Sequence, residues 1–297
     1  MIVAASGLSE DHLGAIARLE AACAGDGRLK LEWETLRSRP TDQPRDFLWV
    51  AEPRDEVVGF LGLYNFGTGL TEVCGMVHPE YRRTGIFSRL LAASESRALP
   101  YETAGESDQV QRLVVVNRDS ETGRQLALSI GAALEHSEYE MVLGRPCSPE
   151  QFRRHEELVV RDARESDRET LAVVLAAAFS TGDGQPLESV NIAGVTAIEY
   201  RGVTVGMLRA SAGPEGAWIS GFAIAPEMRG RGFGHQVLAE VVHALVESGA
   251  SKVSLDVATD NARALGLYTD IGFEQVGAMD YYAYAFTPGS TTNATRQ

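Results

Sequence analysis

The residues best placed to do chemistry are Arg229, Gly230, Arg231, Gly232, Phe233 and Gly234. They follow an apolar run, Trp218 to Ala225, that reads as a buried strand. Pro226 ends that strand, because proline cannot donate to a sheet ladder. After them come Val237, Leu238, Val241, Val242 and Leu245, an apolar stripe at helical spacing. The predicted order is therefore strand, glycine-rich loop, helix. Such a loop leaves backbone N–H groups unpaired at the helix N-terminus, where the helix dipole also favours negative charge. Glycines let a ligand approach the backbone without side-chain clash, and two arginines add positive charge. That chemistry suits a diphosphate. An ordinary glycine-rich turn has the same ingredients, so the downstream sequence must decide. A dinucleotide fingerprint would read G-x-G-x-x-G with an acidic residue about 20 positions on. A P-loop would end in G-K-[S/T]. The stretch fits neither.

Arg229, Gly232 and Gly234 do fit Q/R-x-x-G-x-G/A, and in this the loop resembles the acetyl-CoA loop of the GNAT (GCN5-related) N-acetyltransferases. Further on, Leu255, Val257, Asn261, Ala264, Tyr268, Gly272 and Phe273 resemble that family's second signature, L-x-V-x-x-x-N-x-x-A-x-x-x-Y-x-x-x-G-F. The resemblance implies an α/β domain with a mixed sheet, splayed open beside its central strand. Acetyl-CoA would insert there as cosubstrate. Its pantetheine would pair with the backbone of Phe222, Ala223 and Ile224, and its diphosphate would rest on Arg229 to Gly234 and the His235 amide. Asn261 joins these cofactor-binding positions through the second signature. A primary amine would attack the acetyl carbonyl directly in a ternary complex, with Tyr268 in the general-acid position.

The base is less fixed. Many relatives place a glutamate on the central strand, and residues 218–224 hold no carboxylate. Asp256 lies 12 positions before Tyr268, on the strand face opposite the valines. Some family members that acetylate protein N-termini carry an acidic residue there. Asp256 is either the base, directly or through water, or a polar strand residue near solvent.

Composition narrows the partners. The chain has 297 residues, 44% of them hydrophobic, enough for one large or two ordinary packed domains. A net charge of −14 argues against electrostatic binding to nucleic acid or an anionic membrane, and favours a cationic or amine acceptor. Cys23, Cys74 and Cys147 form no C-x-x-C pair, and the six histidines show no H-E-x-x-H, so neither a disulfide framework nor a metal site is expected. The N-terminus has no basic region before its apolar residues, and no apolar run approaches a membrane span. A soluble cytoplasmic protein is expected, as monomer or homodimer. Asn293 to Thr295 forms a glycosylation sequon, read here as chance.

The chain also repeats itself. Pro79 and Pro226, Arg82 and Arg229, Gly85 and Gly232, and Gly59 and Gly206 are each 147 positions apart. This predicts two tandem copies of one α/β domain, residues 1–145 and 150–297, divided where Pro146 and Pro149 punctuate the chain. In the first copy, Ser9 is expected to cap a helix, and residues 47–52 and 57–64 to form a hairpin. In the second, Ser166 and Glu169 read as a capping box. Asp260 or Asn261 caps a helix that Gly272 ends, and residues 273–276 and 281–286 read as closing strands. The first copy departs from the family pattern: Phe87 stands where the second small residue belongs, Ala127 where the second copy has Tyr268, and Ala132 where it has Phe273. A degenerate first copy with a structural or substrate-binding role is therefore expected, and catalysis in the second. The acceptor pocket would lie near residues 179–189. Two alternatives stay open: a non-catalytic acetyl-CoA-binding regulator, and an enzyme similar to mycothiol synthase, which acetylates a cysteinyl amino-sugar conjugate.

Overall fold

A computed structural model of the protein describes residues 1–26, 30, 33–38, 42–53, 55–65, 70–100, 102, 109–179, 192, 194–213 and 216–289. The expected acceptor loop (180–189) and the sequon lie outside these residues. In chain order the elements are β1 (Ile2–Ala5), α1 (Glu10–Cys23), α2 (Trp33–Arg37), β2 (Asp46–Ala51), β3 (Glu56–Tyr64), β4 (Thr71–Val77), α3 (Ile86–Ser94), β5 (Val110–Asn117), α4 (Glu121–Ser129) and β6 (Ala133–Leu143). Then follow β7 (Leu158–Asp162), α5 (Arg168–Phe179), β8 (Val195–Tyr200), β9 (Val203–Gly213), β10 (Gly216–Ile224), α6 (Phe233–Glu247), β11 (Val253–Ala258), α7 (Ala262–Ile271) and β12 (Phe273–Phe286).

The chain divides into two compact units, residues 1–137 with 277–297, and residues 138–276. In the N-terminal unit the strand order is β1-β2-β3-β4-β5-β12, all neighbours antiparallel except the parallel pair β4 and β5. Alternation along the strands sends Leu61, Val73 and Val114 to one face under α3, and Leu48, Phe60 and Met76 to the other under α1. In the C-terminal unit the order is β6-β11-β10-β9-β8-β7, with β10 and β11 the parallel pair. Here α6 and α7 cover Ile219, Leu255 and Val257, while Leu171 and Val174 of α5 cover Met207 and Ala223 on the other face.

The division differs from a cut between 145 and 150. From Glu138 on, β6 pairs with β11, and from Met279 on, β12 pairs with β5. Each copy thus takes its last strand from the other half of the sequence. For the same reason the two closing strands expected at 273–276 and 281–286 are one continuous strand. Gly277 and Asp280 between them look like a break, but Asp280 is fixed in the N-terminal unit, accepting from Arg118 Nη2 at 2.7 Å and Ser137 Oγ at 2.7 Å. The capping box at Ser166 also differs: Asp167, one residue on, accepts from the backbone N–H of Arg164 at 2.7 Å. Asp167 also binds Arg161 and Thr204, and these partners hold it in place.

Candidate functional site

The site grows from a defect in β10. Its parallel register with β11 covers Ala217 and Trp218. A bulge between Ser220 and Ala223 then turns the strand, with Gly221 at φ +59. β9 stays paired on the other side, opposite Ala223 and Ile224. Phe222, Ala223 and Ile224 therefore run beside a gap where β11 has diverged.

The loop follows at once. After a single 3-10 turn, Arg229 Nε donates to the Ile224 carbonyl at 2.8 Å, and Arg231 Nη2 to the Glu227 carbonyl at 3.3 Å. Both arginines thus brace the loop as well as charging it. Gly230 and Gly232 hold φ of +76 and +87, the left-handed region that glycine adopts without strain. Gly232 is the N-cap of α6 and no side chain caps this end. The first-turn amides belong to Phe233, Gly234 and His235. Beside them the buried Nε2 of His155 has no hydrogen-bond partner, and lies 3.6 Å from where a Cβ on Gly232 would stand. An uncapped helix N-terminus next to an orphaned polar atom fits an anionic group such as a diphosphate.

Asn261 Oδ1 accepts from the Ala264 N–H at 3.1 Å, so Asn261, not Asp260, caps α7. Gly272 ends that helix at φ +107. Tyr268 projects from α7 among Leu255, Val257 and Phe273, only 8% exposed. Burial pushes its phenol up to about 12, so it stays protonated across the neutral range. Asp256 alternates with Leu255 and Val257 and so occupies the opposite face of β11 from Tyr268. Its register partner on β6 is Glu140, itself buried, with Lys252 Nζ 3.7 Å from Glu140 Oε1. Sequence reasoning missed Glu140. The alternation of His136, Glu138 and Glu140 along 133–143 was the available signal.

The N-terminal unit repeats the construction. The β4–β5 register covers Thr71 to Val73, and beyond it the strands part. A cleft of 640 Å³ opens there, bordered by Gly75, Arg82, Phe87, Ser88, Asn117 and Ser129 among others. Arg82 Nε donates to the Val77 carbonyl at 2.9 Å, and Gly85 caps α3 at φ +78. Phe87 does not fill the cleft. Its ring packs on β4, with Cε2 2.9 Å from where a Cβ on Gly75 would be. Ala127 is fully buried. Among the described residues no group of three or more His, Cys, Asp or Glu could hold a metal ion, and no helix is long and apolar enough to cross a membrane.

Comparison with known proteins finds one match in each half of the chain. Residues 154–273 match the acetyltransferase (GNAT) family model, and residues 44–126 match a second acetyltransferase (GNAT) domain model. A GCN5-related N-acetyltransferase from Sphaerobacter thermophilus has a similar structure, with a TM-score of 0.73 at 22% identity over 96% of this chain and 95% of that one. A tandem GNAT protein from the clavulanic acid biosynthesis pathway superposes with a TM-score of 0.67 at 17% identity, over 99% of both chains. An uncharacterised protein of Mycobacterium leprae is 40% identical over 60 residues, 20% of this chain and 16% of that protein's length. Two family matches in tandem, on a fold shared along its whole length with a tandem GNAT protein, establish that the chain belongs to the GNAT acetyltransferase family, with two GNAT domains in one polypeptide.

Proposed function

We propose that the protein moves an acetyl group from acetyl-CoA to a primary amine, and that the C-terminal unit does so. The observation that carries this is the coincidence, in one unit, of the β10 splay, the uncapped α6 loop and a buried, protonated Tyr268. Acetyl-CoA supplies the thioester. The free edge at Phe222 to Ile224 takes the pantetheine, and the amides from Gly230 to His235 take the diphosphate. Asn261 sets the start of α7 and hence the position of Tyr268. Asp256, directly or through water, accepts the proton of the attacking ammonium. The amine nitrogen bonds to the acetyl carbon, the carbon–sulfur bond breaks, and Tyr268 protonates the departing thiolate. The net charge of −14 and the carboxylates around Asp256 favour a cationic acceptor, either a small molecule or a peptide amine.

A second reading has its own observation, the open 640 Å³ cleft of the N-terminal unit. It keeps a braced loop and a glycine N-cap, so it is fitted to hold an acyl-CoA although Ala127 replaces the acid. Calorimetric titration with acetyl-CoA separates the two. Gly232→Glu places a carboxylate against the C-terminal diphosphate, and Gly85→Glu does the same in the N-terminal unit. If Gly232→Glu abolishes one equivalent of binding and all turnover, the C-terminal assignment stands. If only Gly85→Glu does, the N-terminal unit is the working copy.

A further inference from the structure

We propose that a latch between His235 and Asp270 draws the seam of the C-terminal cleft together, and that this latch competes with the diphosphate for the first turn of α6. The proposal rests on the assignment of acetyl-CoA to that cleft.

The two copies supply the argument, because the same four positions can be followed in each. In the N-terminal unit Phe87, Ser88, Leu126 and Ser129 all border the open cleft. Matched through Gly85 with Gly232 and through Ala127 with Tyr268, they correspond to Gly234, His235, Leu267 and Asp270. In the C-terminal unit these four meet across the seam between α6 and α7. A Cβ on Gly234 would stand 3.3 Å from Cδ2 of Leu267. His235 Nε2 lies 3.0 Å from Asp270 Oδ2. Residues that wall an open cleft in one copy touch one another across the seam in the other.

The sequence differences explain the closure. Gly234 offers no side chain, so Leu267 comes up against the α6 backbone. His235 and Asp270 are long enough to meet, whereas Ser88 and Ser129 leave their cleft open. The latch pair lies at the rim of the seam, with side chains 34% and 61% exposed. A polar contact so exposed is weak, which is what a closure that a ligand must open requires. Asp270 also brings a carboxylate to the first turn of α6, the place the helix dipole offers to an anion. A diphosphate arriving there meets both a closed seam and a like charge.

The test titrates coenzyme A into the full chain carrying Gly85→Glu, so that only the C-terminal cleft is read. Asp270→Asn and His235→Ser, each keeping the loop amides, are expected to bind roughly three- to tenfold tighter than their parent. Equal or weaker binding by both overturns the latch while leaving the site assignment intact. If binding does not depend on Gly232, the site assignment itself falls and the latch with it. Imidazole NMR signals of His235 give a second readout. Saturating coenzyme A should move them to the position they hold in Asp270→Asn without ligand, and signals that stay put overturn the latch.

Discussion

Arg82 and Arg229 do the same work in the two units, and Ala127 and Tyr268 do not. Each arginine reaches back to the strand that precedes it, at 2.9 and 2.8 Å, and each loop ends on a left-handed glycine that starts a helix. At the next helix the copies part. The C-terminal unit puts a phenol beside its splayed strands, and the N-terminal unit puts a methyl group there. The pair shows that the loop geometry and the residue facing it from the next helix are set separately, so a duplicated domain can keep the first and change the second.

The comparison breaks most visibly at Tyr268. Tyr268→Phe removes one oxygen from a packed ring and should leave the fold and acetyl-CoA affinity unchanged. If that oxygen protonates the leaving group, turnover falls by roughly 10²- to 10⁴-fold. Full turnover in this variant would move the chemistry to the other unit, and unchanged binding with no turnover in the parent would favour the non-catalytic regulator.

A smaller effect distinguishes how the units are braced. In the C-terminal unit Asp167 accepts from Arg161 Nη1 at 2.7 Å and Nη2 at 3.0 Å, and from Thr204 Oγ1 at 2.7 Å. The Arg161 hydrogen bonds hold its carboxyl well below the usual carboxylate range, and the Arg164 N–H and Thr204 add to this. A pKa lower in the folded state than in the unfolded chain contributes stability in full above the unfolded value of about 3.9, and that stability is lost as the pH falls further. Asp167→Asn should therefore destabilise the C-terminal unit by about 2 kcal/mol at neutral pH. In urea unfolding, its difference from the parent should shrink as the solution is acidified below pH 4. A difference that persists in acid would mean that packing, not charge, anchors this turn.

The smallest effect lies in the loops themselves. Arg83 sits at φ +62 where the C-terminal copy has Gly230 at φ +76. A side chain in that region costs about 1 kcal/mol, so Arg83→Gly should raise the stability of the N-terminal unit by about that much in thermal unfolding. No gain would show that the arginine side chain offsets its own backbone strain.

What could be read from the sequence was local. The loop, the hairpins, the Ser9 and Asn261 caps and the Gly272 stop each rest on neighbours within a few residues, and each is found in the fold. The choice of partner by β6 and β12 could not be read, because Glu140 and Asp256, or Tyr282 and Val114, are brought together only by the finished sheet. The openness of the N-terminal cleft was hidden for a similar reason. Phe87 looks obstructive in sequence, and only the absence of a side chain at Gly75 gives its ring somewhere else to lie. The contact of His235 with Asp270 joins two helices separated by a strand, and no short-range pattern encodes it.

The route of β12 has a consequence for how the protein is made. Residues 279–286 supply the last strand of the N-terminal sheet, antiparallel to β5. A chain emerging from the ribosome in order completes α1 to β5 early, but their sheet keeps a bare edge at β5 until residues 279–286 have been translated. Until then that edge is a row of unpaired N–H and C=O groups open to other nascent chains. Biogenesis of the first domain is thus timed by the arrival of the last strand, and a premature stop shortly before residue 279 would damage the half of the protein that was made first.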